Sequence, residues 1–445
     1  MSARPGAVSA PTSAAPSPSI TSWPAVEAAA AAAAPPALAT YTTRPGLVPS
    51  SSPNPALPTP STGPGPAPAS TAPILFARDT HGWCPFAQRV WMALTHVGAP
   101  FETVFIDLRA KPDWYPATVP TSKVPALFLA TPEQLAAAGP AGVPVAEREM
   151  VFESLDILAR LDADFPGVLS PPETDAAAAE AALALAERFG TAGYGLVRSA
   201  AAAGAGGGAA ATTTTASSPT PPTPPLPLPE ARAAFEAVLA EWEALLASTP
   251  GPFLAGPAAS LVDFALAPMA ERLASTIPAS PAAGVALRGR PDRPAIEAWY
   301  VAMAAVPAVA AVRGDPATHR AVFGRIAGLG LSAPPYVPAD PAASAEAAAK
   351  LASNRAAVVA DTIKNAGLAA GTEAAVEAAL LRIAGCLVSG LPGKAAEVAA
   401  DNAVTAAVAA FLPARVSAPR DMSGGAAVEL RAACARVAEG CYTGI

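Results

Sequence analysis

The sequence predicts an α/β domain followed by an all-helical domain. Strand and helix signals alternate between Ile74 and Phe165. Strand signals then stop at Pro171-Pro172, and only helical spacing follows. Before, within and after this region lie stretches of Ala, Ser, Thr, Gly and Pro that cannot bury a core.

The elements follow in order. Ile74-Leu75-Phe76-Ala77 reads as a strand. Phe86 to Val97 has helical spacing, with Val90, Leu94 and Val97 on one face. Phe101 to Asp107 alternates as a strand, Pro125 to Leu129 reads as another, and Glu153 to Phe165 is helical with Leu155, Leu158 and Leu161 inward. A right-handed crossover joins the first strand to the next through the first helix. The predicted domains are a disordered tail over 1–72, an α/β domain over 73–168, an all-helical domain over 171–330 with a low-complexity insertion at 201–229, and a helical appendage over 342–445. Helices are expected over 173–199, 230–248, 260–275 and 293–306. Breaks in the appendage are expected at Gly367, Gly390 to Gly393 and Pro413.

Composition excludes several classes. The 445 residues hold 28 basic and 35 acidic side chains, a net charge of −7, which argues against a nucleic-acid binder. Every long apolar run is broken by charge, Pro or Gly, with Arg382 interrupting the best candidate, so stable membrane insertion is not expected. Four cysteines form neither a disulfide framework nor C-x-x-C metal spacing, which predicts a reducing compartment and no metal. The 1–72 tail is acid-poor and Ser-rich but sparse in Arg. The expected location is therefore the cytoplasm, or a plastid should that tail act as a transit peptide. The polyproline stretch Pro221 to Pro229 reads as linker, with a P-x-x-P partner site the alternative.

The chemistry concentrates in Trp83-Cys84-Pro85-Phe86-Ala87-Gln88-Arg89-Val90-Trp91. Cys84 follows a strand and loop and precedes a helix whose first position is Pro85. Unpaired N–H groups and the positive helix end favour a thiolate there, and Arg89 one turn on adds positive charge. Ala87 stands where a second Cys would make a dithiol, so Cys84 is predicted to form a mixed disulfide with an external thiol. His81, three residues earlier, offers a Cys–His dyad or a solvated side chain. Cys386, Cys434 and Cys441 read as inert packing. Lys123-Val124-Pro125 enters a strand, and a cis bond before Pro125 would turn the Val124 N–H and C=O outward to pair with an extended peptide-like ligand. Glu153 and Ser154 open a helix, where hydroxyl, backbone N–H and dipole suit a ligand carboxylate and the acid suits an ammonium, or the pair simply caps.

These signals together resemble the cysteine-type glutathione transferase family, most closely its lambda class, over 74–330. The resemblance adds Gly251-Pro252-Phe253-Leu254-Ala255-Gly256, then Ser260-Leu261-Val262-Asp263, an S-x-x-D capping box that the family keeps for folding. It implies a thioredoxin-like N-terminal domain and an all-α C-terminal domain. It implies that Cys84 forms a mixed disulfide with glutathione, the co-substrate, with Phe86 beside the thiol. Val124, before cis Pro125, would pair with the cysteinyl part, and Glu153 and Ser154 would hold the γ-glutamyl end. Lys111 or Lys123 would meet the glycyl carboxylate. The implied activity is glutathione-dependent thiol transfer: removal of glutathione from a glutathionylated small molecule or protein, or glutathione-dependent reduction of a small oxidised acceptor. The alternatives are a dehydroascorbate reductase and a non-catalytic carrier of apolar, flavonoid-like ligands; a membrane-inserting chloride-channel-like relative is a weaker third. Arg188, Phe189, Tyr194 and Trp299 are candidate acceptor-pocket residues, with core packing the competing reading for Phe189 and Trp299. A monomer or weak dimer is expected.

Overall fold

The computed structural model describes residues 22–33, 69–79, 82–204, 225–327, 330–332, 334, 336–337, 341–389 and 401–443. Strands are β1 (Ala69–Ser70), β2 (Ile74–Asp79), β3 (Phe101–Ile106), β4 (Ala126–Leu129), β5 (Val143–Pro144) and β6 (Glu149–Phe152). A four-stranded sheet has the order β3-β2-β4-β6, and β1 and β5 form a small antiparallel pair. β2 runs parallel to β3 and antiparallel to β4, so both its edges are paired. That central place explains why all six of its residues are buried. A parallel neighbour requires a crossover, and the helix between β2 and β3 supplies it.

Helices of this domain are α2 (Pro85–Val97), α3 (Trp114–Thr118), α4 (Pro132–Ala138) and α5 (Ser154–Asp164); α1 lies far upstream and is described below. Alternate residues of β2 serve two cores. Ile74 and Phe76 pack with Val90, Met92, Leu94, Ile157 and Leu161 of α2 and α5. Leu75 and Ala77 pack on the other face with Ile106, Tyr115, Val119 and Phe128. Ile157 rather than Leu155 is fully buried on α5. α2 ends at Gly98, whose φ of 68° provides the left-handed cap.

The helical domain comprises α6 (Ala176–Gly204), α7 (Leu228–Ser248), α8 (Leu261–Thr276), α9 (Pro294–Ala305), α10 (Pro307–Val312) and α11 (Pro316–Ala327). α10 and α11 go beyond the helices read from the sequence. Most of the 201–229 insertion lies outside the described residues, but its ends continue α6 and begin α7. Phe189, Trp242 and Trp299 are buried among one another, so Phe189 and Trp299 are core rather than pocket. α2 packs against α8 and α10, which explains why it is apolar on nearly every face.

α12 (Pro341–Asn365), α13 (Glu373–Ser389), α14 (Asn402–Arg415) and α15 (Gly424–Thr443) form the appendage, with its own core around Leu380, Ile383, Val408 and Leu430. α1 (Trp23–Ala33) belongs to this core through Trp23, Val26 and Ala30. The expectation of a wholly disordered 1–72 therefore fails at this segment, and also at β1. The spacing i, i+3, i+7 makes one apolar stripe, which composition averaged over the tail conceals. Pro413 does not break its helix, because it falls in the last turn of α14. Gly367, with φ of 72°, does follow the end of α12, and Gly390 to Gly393 lie outside the described residues. The appendage docks on α11 through an Arg431–Asp315 ion pair of 2.6 Å and an Ala418 N–H donated to Thr318 Oγ1 at 3.4 Å.

Candidate active site

Asp79 ends β2 and organises the loop that carries the thiol. Its Oδ2 accepts from the Trp83 N–H at 2.9 Å and its Oδ1 from the Cys84 N–H at 3.1 Å. The backbone N–H of Gly82 donates to the Asp79 carbonyl at 3.2 Å. Gly82 has φ of 65°, and a Cβ there would lie 2.8 Å from Nη1 of Arg78, so the turn admits glycine alone without strain. Cys84 then stands at the N-cap of α2, half-buried, with Sγ 3.9 Å from the Val124 carbonyl. The Val124–Pro125 bond is cis. The Lys123 carbonyl accepts from the Tyr115 hydroxyl at 2.7 Å, which fixes the approach to β4.

The surroundings of Cys84 work against the expected low-pKa thiol. Burial first, and the Asp79 carboxylate second, push the Cys84 thiol up to about 11. The N–H groups of Ala87 and Phe86 pull in the expected direction, as does Arg272, but they are outweighed. Arg89 lies near enough for its charge to interact with Cys84, but its donors are taken elsewhere. It is buried, gives Nε to the Ala265 carbonyl at 2.7 Å and Nη1 to the Ser154 hydroxyl oxygen at 3.2 Å.

Arg272 of α8 is a second cation at the thiol loop, and sequence reading missed it. It donates to Gln88 Oε1 and to the Pro268 carbonyl, each at 2.6 Å, and to the Trp83 carbonyl, with its carbon 5.0 Å from the Trp83 ring centre. The helical domain thus holds the thiol loop from behind. No local pattern marks Arg272, because Gln88 and Trp83, the partners that tie it to the thiol loop, lie in another domain.

Glu153 has φ of 63°, an unusual value for a non-glycine residue, and its side chain is exposed at the start of α5. Ser154 is buried, and its oxygen is engaged by Arg89, leaving its hydroxyl hydrogen as a donor. Phe86 is 45% exposed beside the thiol loop. Lys111 is half-buried and Lys123 exposed; neither ammonium has a partner among the described residues. Tyr194 of α6 stacks on Phe323 with ring centres 5.3 Å apart. Burial, first, and then the nearby Cys84 raise its hydroxyl pKa against the pull of Arg272. Arg188 instead pairs with Glu241 on the surface. His81 lies outside the described residues. Among those described, no cluster of His, Cys, Asp and Glu is grouped to hold a metal ion.

Asp263 justifies the capping-box reading. Fully buried, it accepts from the N–H groups of Ser260 at 2.9 Å and Leu254 at 3.0 Å, and from Trp299 Nε1 at 2.8 Å. It lies in the helical-domain core as a folding element.

A sheet of this order, a cysteine at the N-cap of the first helix and an all-helical second domain define a class. Residues 83–164 match the glutathione S-transferase N-terminal domain and residues 208–302 the glutathione S-transferase C-terminal domain. The two matches fall on the thioredoxin-like α/β domain and on the all-helical domain. Among individual proteins, it is 47% identical over 47 residues to a probable cytosolic glutathione S-transferase DHAR1 of Oryza sativa, 11% of this chain and 22% of that protein. It is 38% identical over 84 residues to the pyrimidodiazepine synthase of Drosophila melanogaster, 19% of this chain and 29% of that protein. The chain thus matches less than a third of the length of these curated relatives. Solved structures similar to it include glutathione transferase Omega 2C of Trametes versicolor, at 24% identity and TM-score 0.38, covering 53% of this chain and 91% of that one. The dehydroascorbate reductase of Chlamydomonas reinhardtii matches at 19% identity and TM-score 0.37, covering 54% and 91%. No described helix is long and apolar enough to cross a membrane.

Proposed function

We propose that this protein is a glutathione-dependent thiol transferase of the lambda type, with Cys84 as nucleophile. The carrying observation is the cysteine at the N-cap of α2, with Sγ 3.9 Å from the carbonyl of Val124. In this reading the Cys84 thiolate attacks the glutathione sulfur of a glutathionylated acceptor. A bond forms between Cys84 Sγ and that sulfur, the acceptor–sulfur bond breaks, and the acceptor leaves as a thiolate that takes up a proton. A second glutathione thiolate then attacks the bound glutathione sulfur, forming glutathione disulfide and returning Cys84. The Val124 N–H and C=O pair with the cysteinyl segment. The exposed Glu153 meets the ammonium of the γ-glutamyl end, and the Ser154 N–H and hydroxyl meet its carboxylate. Lys111 or Lys123, both without carboxylate partners among the described residues, meets the glycyl carboxylate, and Phe86 shields the sulfur. Dehydroascorbate is a second acceptor class, favoured by the short match to the rice relative.

The test is glutathione-dependent reduction of hydroxyethyl disulfide and of dehydroascorbate, with and without prior iodoacetamide, on the wild type and Cys84→Ser. Turnover that disappears with alkylation and in Cys84→Ser is the expected result. Equal turnover in Cys84→Ser would overturn the assignment.

A further inference from the structure

Five arginines and no acidic side chain line a cleft of about 430 Å³ between α11 and the appendage. Arg320 and Arg325 come from α11; Arg415, Arg420 and Arg431 come from the appendage. Three have carboxylates behind the wall: Arg415 with Asp361, Arg420 with Asp421 and Arg431 with Asp315. Five guanidiniums less three carboxylates leaves two positive charges uncompensated.

Those two are Arg320 and Arg325. Arg320 is only 9% exposed and gives Nε to the Ser275 carbonyl at 2.7 Å and Nη1 to the Ser332 carbonyl at 3.0 Å. Burial alone lowers its pKa, and no acid offsets it. A buried cation that meets only neutral carbonyls carries a desolvation cost without the ion pair that normally offsets it. Arg325 is exposed at the cleft and has no hydrogen-bond or ion-pair partner among the described residues. The cleft volume falls in the range that holds small ligands, about 300–1,000 Å³. Guanidinium forks match the paired oxygens of carboxylate and phosphate.

We propose that this cleft binds a small anion of two or more charges, presenting carboxylate or phosphate oxygens to Arg320 and Arg325. The occupant would complete the ion-pair network joining the appendage to the helical domain. The proposal does not depend on the reading of Cys84, although the lining residue Arg420 lies close to Gly82 of the thiol loop.

The test uses the full chain, with sodium citrate and inorganic phosphate as probes, each against sodium chloride at matched ionic strength. Thermal unfolding and titration calorimetry are read together, since a ligand that binds only the folded state raises Tm by mass action. The expected result is a saturable Tm rise with citrate or phosphate beyond that with chloride. Arg325→Ala should weaken the calorimetric affinity at least tenfold, whereas Arg188→Ala, remote from the cleft, should not change it. Arg325 is exposed, so its variant tests the site without disturbing the core. Preference for citrate over phosphate would assign a carboxylate ligand, and the reverse a phosphate ligand. A Tm response equal to that of chloride, or unchanged affinity in Arg325→Ala, would overturn the proposal.

Discussion

At Cys84 the helix end and the loop acid act in opposition. The N–H groups of Phe86 and Ala87 favour the thiolate, yet burial and Asp79 hold the proton on sulfur up to about pH 11. A free cysteine titrates near about 8.5. Alkylation by iodoacetamide at pH 7 should therefore be at least about tenfold slower than for a free thiol, even after the greater nucleophilicity of a basic thiolate is allowed for. The rate should climb close to tenfold per pH unit from 7 to 10. A plateau below pH 8 in mass-spectrometric labelling would contradict this. Asp79→Asn removes the carboxylate charge while keeping one acceptor oxygen. Its labelling curve should shift to lower pH; a curve moved to higher pH would show that the acid acts on the thiol by some other route.

The element that matters most to the site is α8, which serves two ends. Asp263 in its first turn ties the preceding loop and Trp299 together, and Arg272 further along reaches the thiol loop. Replacing Asp263 by Ala leaves four buried donors without this partner, the N–H groups of Leu254 and Ser260, the Ser260 hydroxyl and Trp299 Nε1, at about 1–3 kcal/mol each. A loss of about 3 kcal/mol or more in urea unfolding is the expected outcome, and a loss under 1 kcal/mol would show that these donors find other partners. The Asp263 role was legible in the sequence because Ser260 and Asp263 sit three apart before an apolar run. Cys84 before Pro85, Val124 before Pro125 and the Glu153-Ser154 helix start were legible for the same reason: each is a local pattern at the end of one element. Arg272 was not, and neither was the raised thiol pKa, because Asp79, Arg272 and the burial around Cys84 come together only through tertiary packing. α1 escaped for a different reason, since three apolar positions in an alanine-rich run carry little contrast.

Across the molecule, two cores meet at α11. Arg431 spans them, bonded to Asp315 and to the carbonyls of Pro413 and Val416. Arg431→Ala would leave Asp315, which is 1% exposed, without its cation. A buried pair broken on one side costs about 3–5 kcal/mol. Hydrogen exchange should accordingly quicken in α11 and α15 together; faster exchange in α15 alone would mean that the appendage is not braced on α11. The N-terminal helix α1 closes a larger circuit. It packs with α12 and α13, so residues far apart in the chain share one core, and the α/β and all-helical domains lie between them in sequence. Because α1 and α12 belong to one chain, that association is intramolecular, which raises the effective concentration of the helix at its seat. A single chain cut between α1 and β1 would turn it into a bimolecular encounter, in which an 11-residue helix has little affinity of its own. Such a cut would thus release α1 and strip the face of α12 and α13 that it covers, so a break early in the chain would be felt more than three hundred residues along it.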